Sequence, residues 1–185
     1  MKLIIGVGLL LEGESYNKIR EIEQIFSTTI SNDHGLFQPP HITIKRPFQV
    51  KSLEDIQDIS KTIEKFCKKQ KKIKLKLSGI KSFTEKAVYF QVLNDSKVRS
   101  IHEDLLLILR SKHSIKAEAF DGPKFVAHST IAMELDEKQH NEIERKLIHK
   151  YNKLRIDTTI SKIGLFLNID DAHWIIIREY FMENT

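Results

Sequence analysis

The run from Leu3 to Leu11 is apolar almost without interruption, and the chain changes period directly after it. A bilayer needs about 20 such residues, so this run fits a buried strand. Behind it Tyr16, Ile19, Ile22, Ile25 and Phe26 recur at helical spacing, with Ser15 available as a cap. The polar stretch 27–38 reads as a loop, and alternation returns from His41 to Phe48. Ser52-Leu53-Glu54-Asp55 resembles a capping box and opens a second helix, marked by Ile56, Ile59, Ile63 and Phe66. Lys72 to Ser82 and Lys86 to Leu93 read as strands. Val98, Ile101, Leu105 and Ile108 mark a helix, and Phe125 to Met133 reads as a strand. Asp136 can cap a helix through Tyr151, and Ile156 to Leu167 with Trp174 to Tyr180 forms a hairpin over Asp170-Asp171. Strand, helix and strand thus succeed one another twice with no linker, which predicts an α+β fold of two similar lobes.

At 185 residues the chain is about one domain long. Nine lysines lie between Lys61 and Lys81, and they read as a solvated helix end and one wet strand face. Cys67 is the single cysteine, which excludes an intramolecular disulfide and a thiolate metal cluster, and its helical context predicts burial. The apolar start ends in Glu12-Gly13-Glu14 without a small-residue cleavage site, so a cytoplasmic, reducing-compartment protein is expected.

Two strands carry an unusual pairing of side chains. One is Pro39-Pro40-His41-Ile42-Thr43-Ile44-Lys45-Arg46-Pro47-Phe48, and the other is Phe125-Val126-Ala127-His128-Ser129-Thr130-Ile131-Ala132. Period-two geometry sets His41 with Thr43, and His128 with Thr130, on one face each. If the lobes pack about a pseudo-twofold axis, the four side chains converge. Two imidazoles with ordinary pKa near ~6.5 can act as base and acid around neutrality. Two hydroxyls can donate to the oxygens of a tetrahedral anion. Attack and departure at phosphorus are roughly in line, so base and acid belong on opposite sides of it. Metal-free phosphodiester cleavage is the reaction that fits best.

Lys45 continues the His41–Thr43 face by alternation and is a candidate phosphate-binding residue, whereas Arg46 falls on the opposite face of a regular strand. Tyr89 and Phe125 are candidates for stacking a base. His102 reads as structural, while His34, His113, His140, His149 and His173 read as surface residues. No histidines have zinc-binding spacing, and Gly6 with Gly8 lacks the rest of a nucleotide-loop fingerprint.

The paired His-x-Thr motifs resemble the signature of the two-histidine (2H) phosphoesterase superfamily, the group containing 2′-5′ RNA ligase-like proteins and cyclic phosphodiesterases. Between them, Leu77-Ser78-Gly79-Ile80-Lys81-Ser82-Phe83, Ala87-Val88-Tyr89-Phe90-Gln91-Val92 and Ile101-His102-Glu103-Asp104-Leu105 are also similar to the family. The resemblance implies a single bilobal domain over 1–185, with antiparallel sheets around a central groove and helices outside. It implies catalytic His41 and His128, with Thr43 and Thr130 on the phosphate oxygens. It also implies hydrolysis of 2′,3′-cyclic phosphate ends of RNA, or of small cyclic nucleotides, to a 2′-phosphate. His128 would then be the base. No metal, cofactor, membrane or obligate protein partner is expected. The alternatives are a reversible 2′-5′ RNA ligase and a non-catalytic RNA-binding module. One departure stands out: Ala127 precedes the second motif where Pro40 precedes the first, and no arginine follows the second motif.

Overall fold

β1 (Leu3–Leu10) is central in its sheet, which explains its unbroken apolar run. The computed structural model describes residues 3–84, 86–170 and 172–183, so Asp171 of the expected turn lies outside the described residues. β1 pairs antiparallel on one side with β2 (His41–Val50) and on the other with β7 (Lys162–Asn168). β8 (Trp174–Phe181) completes a sheet of order β2-β1-β7-β8. The second sheet has order β5-β4-β3-β6, from β3 (Ile73–Phe83), β4 (Ala87–Leu93), β5 (His128–Met133) and β6 (Arg155–Ile160). Each motif strand is therefore an edge strand, and the two edges, β2 and β5, contact one another.

The lobes are not successive halves of the chain. The first sheet takes both chain ends, and the second is inserted between them. The helices cross over as well. α1 (Gly13–Ile30) leaves the first sheet and packs on β5 and β6 of the second. α2 (Leu53–Cys67) and α3 (Ser96–His113) cover the first sheet through β7, β8 and β2. α4 (Glu137–Ile143) packs on α1 and continues helically through Tyr151. The α1 residues Ile19, Ile22 and Phe26 are completely buried. Each such side chain stabilises the fold by about 1.5–3 kcal/mol relative to exposure.

Two caps form as read: the Ser52 hydroxyl accepts from the Asp55 N–H at 3.1 Å, and the Asp136 carboxylate from the Gln139 N–H at 2.7 Å. Ser15 does not cap α1, because its hydroxyl donates back to the Glu12 carbonyl at 2.8 Å. The expected strand 156–167 divides at Ser161, with β6 joining the second sheet and β7 the first. Ile160 and Ile163, the nearest apolar residues on either side, are both buried although they lie in different sheets. Cys67 is buried, with its thiol against the Tyr180 carbonyl at 3.2 Å.

The register of β2 positions the site. Between the pairs Gly8/Thr43 and Val7/Lys45 one extra residue, Ile44, is accommodated in β2. Between Val7/Lys45 and Ile5/Phe48, Arg46 and Pro47 together oppose Gly6. These are two bulges, and in each the doubled residues share a face. Burial follows suit: Ile44 and Lys45 are both completely buried, while Arg46 and Pro47 are both exposed. Pro47 suits the second bulge because it has no N–H to offer the ladder. The same irregularity occurs in β5, where Ile131 is the extra residue and Ile131 and Ala132 are both buried.

Candidate active site

His41 and Thr43 share the outer face of β2, while His128 and Thr130 share the corresponding face of β5; all four side chains are partly buried. The two histidines are held alike. His41 Nδ1 lies 2.8 Å from the Pro39 carbonyl, and His128 Nδ1 lies 2.7 Å from the Val126 carbonyl. A carbonyl can only accept, so each Nδ1 carries the hydrogen and each neutral ring leaves Nε2 with its lone pair. At His41 that lone pair accepts from the Thr43 hydroxyl at 3.0 Å.

The surroundings disfavour the charged form of both rings. Burial pushes the His41 pKa down to about 4; the Pro39 carbonyl pulls the other way, and the His128 imidazole lowers it further. His128 is likewise held below its ordinary value, first by burial, against the pull of the Val126 carbonyl, and then by the Arg46 guanidinium. The two rings therefore influence one another electrostatically where β2 and β5 meet.

Glycines shape the floor. A Cβ on Gly8 would stand 2.7 Å from His41 Cδ2 and 3.1 Å from the Phe166 ring. His41 packs on Phe166 with ring centroids 4.5 Å apart, a contact that needs this space. Gly8 is thus part of the site through closeness of packing, a role unrelated to a phosphate loop. On the second lobe, Phe83 and Tyr89 stack at 4.1 Å, and both stand steeply inclined to the His128 ring with centroids 4.8 and 5.0 Å from it.

Several expected roles need correction. Lys45 is not on the groove face, because the bulge at Ile44 turns it to the buried side. There its ammonium pairs with Asp121 at 2.8 Å and lies 5.1 Å from the Phe48 ring centroid. Arg46 takes the exposed position instead. Phe125 is buried and stacks on His102 at 3.9 Å, which removes its faces from any base. Tyr89 faces the site but is only 7% exposed, with one ring face covered by Phe83. His140 is buried and bonds to the Ser82 hydroxyl at 3.1 Å, so it is not a surface residue.

His102 is structural, as read, and the bulge explains how. Its Nδ1–H donates to the Ile44 carbonyl at 2.8 Å, and its Nε2 accepts from the Gly122 N–H at 2.8 Å. With Lys45–Asp121 it ties β2 to the segment that enters the second motif. Sequence reasoning placed Arg46 on the opposite face, as a regular strand would, and passed over Asp121. The dipeptide Arg46-Pro47 was the available signal, since a proline within a strand pattern marks a bulge or an edge.

Comparison with known proteins gives a consistent picture. The model of the 2′-5′ RNA ligase superfamily matches residues 13–172. A Bacillus pumilus protein named as a phosphoesterase is 22% identical over 167 residues, covering 89% of this chain and 91% of its own. A similarly named Geobacillus kaustophilus protein is 23% identical over 153 residues, covering 82% and 83%. Among solved structures, Escherichia coli LigT complexed with 3′-AMP superposes with a TM-score of 0.67 at 11% identity, covering 98% of this chain and 99% of that one. TT0787 of Thermus thermophilus also reaches 0.67 at 11% identity, covering 100% and 99%. These structures share the fold.

Proposed function

The chain belongs to the 2′-5′ RNA ligase superfamily, and from that membership and the site's geometry we propose that it is a metal-independent cyclic phosphodiesterase. Its substrates would be 2′,3′-cyclic phosphate ends of RNA or small cyclic nucleotides, opened to a 2′-phosphate. The observation that carries this reading is the matched pair of imidazoles, each with Nδ1–H fixed on a carbonyl and each sharing a strand face with a threonine. The complex of LigT with 3′-AMP, a nucleotide phosphate held by a protein of this fold, agrees with the class of substrate.

In the reaction, one neutral Nε2 takes a proton from water as the water oxygen bonds to phosphorus. The bond from phosphorus to O3′ breaks, and the other imidazole, protonated, delivers its proton to that oxygen. Thr43 and Thr130 donate to the non-bridging oxygens, where charge builds up. Burial disfavours the charged form of both rings in the free protein, so the acid acquires its proton as the anionic substrate enters. The phosphate's negative charge favours that protonation, and free-protein electrostatics therefore assign neither role to either ring.

The test is incubation, with EDTA, of an oligoribonucleotide ending in a 2′,3′-cyclic phosphate, followed by phosphorus NMR. Opening to a 2′-phosphate by wild type, and not by His41→Ala or His128→Ala, is the expected result. No turnover with RNA still bound would replace this reading with the non-catalytic binding module.

A further inference from the structure

Arg46 and Met133 hold equivalent positions in the two motif strands, five residues after the histidine and directly beyond the bulge. In β5 that position is neutral: Met133 is partly buried, and its sulfur accepts from Gln38 Nε2 at 3.6 Å. In β2 it is a cation, exposed on the face that bears His41 and Thr43. Two lysines of this sheet are already paired with carboxylates. Lys45 is paired with Asp121, and Lys162 is held by Glu12 at 2.8 Å and Glu179 at 2.9 Å. Arg46 has no carboxylate within ion-pair distance among the described residues.

Its neighbour is aromatic. The guanidinium carbon lies 5.4 Å from the centroid of Phe120, which is 61% exposed and has φ of 69°. A bulky residue in the left-handed region persists only where its surroundings hold it. Here the holding contact is next along the chain, because Asp121 is the buried partner of Lys45. Neighbours 45 and 46 thus meet neighbours 121 and 120. The inner pair is charged and buried, and the outer pair is an arginine lying over a ring. Contact with a ring uses none of the guanidinium's N–H donors, and a phosphate can take two of them at once.

We propose that Arg46 is the anion clamp of this site: its guanidinium binds the non-bridging oxygens of the phosphate between His41 and His128, and Phe120 orients it. The proposal rests on the phosphodiesterase reading for its substrate. The effect of Arg46 on the proton affinity of His128 shows that its charge already reaches the second motif. As water adds to phosphorus, charge grows on the oxygens, and a fixed cation is worth more there than in the ground state.

Two measurements test the clamp on wild type, Arg46→Ala and Arg46→Lys. The first is titration with inorganic phosphate, followed by NMR shifts of the two histidine rings; the second is kcat/KM on the cyclic-phosphate oligonucleotide. Thermal unfolding checks that the variants fold. Arg46→Ala should weaken phosphate binding and lower kcat/KM by about 10- to 100-fold, the scale of a lost charge-assisted hydrogen bond. Arg46→Lys should fall between, since it keeps the charge and loses the fork. Wild-type values in Arg46→Ala, or no phosphate binding by wild type, would overturn the clamp. If wild type binds phosphate through Arg46 but opens no cyclic phosphate, the reaction assignment falls and the clamp stands.

Discussion

The motif strands β2 and β5 are the same backbone built twice. Each runs histidine, buried residue, threonine, and then two consecutive buried residues at a bulge; each anchors Nδ1 on the carbonyl two positions earlier. They part company after the threonine. Beyond Thr43 come a buried lysine and an exposed arginine, whereas beyond Thr130 come Ala132 and Met133. The comparison teaches that symmetry here belongs to hydrogen-bond geometry and asymmetry to charge. A reaction at phosphorus suits such a division, because attack and departure need equivalent placement of two imidazoles but different proton states.

The largest break in this comparison comes from the histidines. His41→Ala and His128→Ala should each lower kcat by about 10²–10⁴, the usual cost of losing general acid or base. Both losses are required; a variant of either that keeps near-wild-type turnover of the cyclic-phosphate oligonucleotide would mean the copies are not partners.

Next comes stability. Lys45→Met leaves Asp121 buried without its partner, and removing one member of a buried pair costs about 3–5 kcal/mol. Urea denaturation should register this loss, while Ala132→Met at the uncharged equivalent should cost less, at about 1–3 kcal/mol for overpacking. Equal losses at the two positions would argue against the ion pair as the source of the difference. The double variant Lys45→Met/Asp121→Leu should recover most of the stability lost in the single one.

Gly8→Ala probes the first copy through its floor. The added methyl meets His41 and Phe166 closer than carbon atoms pack, so the ring must shift. Misplacement of a catalytic group by about 1 Å can cost ~10²-fold in rate. Circular dichroism should stay native while turnover falls; unchanged kcat would show that His41 has slack.

The smallest effect is in acid stability. The folded-state pKa of His41 is lowered to about 4 from an ordinary value near ~6.5. As pH falls below the ordinary value, the unfolded chain binds the proton first, so stability is lost between about 6.5 and 4. His41→Gln removes that titrating group. Its stability should decline less than that of wild type on going from pH 7 to pH 5, by urea midpoints. Parallel declines would mean that His41 is protonated in the folded protein at pH 5.

Much of the fold was legible because its signals are local. The cap at Ser52 needs only Asp55, and the cap at Asp136 needs only Gln139. The helical faces of α1 and α2 follow from spacing. The site histidines and threonines were legible for the same reason, since two residues on one strand share a face whatever the strand pairs with. The division at Ser161 was hidden, because the isoleucines on either side of it, Ile160 and Ile163, are both buried and only pairing assigns them to different sheets.

By itself, then, the sequence determined which side chains could act together within a strand: His41 with Thr43, His128 with Thr130, and Cys67 among its buried neighbours. Tertiary structure decided which of Lys45 and Arg46 faces the groove, that Phe125 covers His102, and that β2 and β5 meet at all. The reason is physical. Side-chain alternation is a property of one chain, but a bulge is a mismatch in residue count between two strands. A buried ion pair such as Lys45–Asp121 depends on a partner 76 residues away, which no local period encodes.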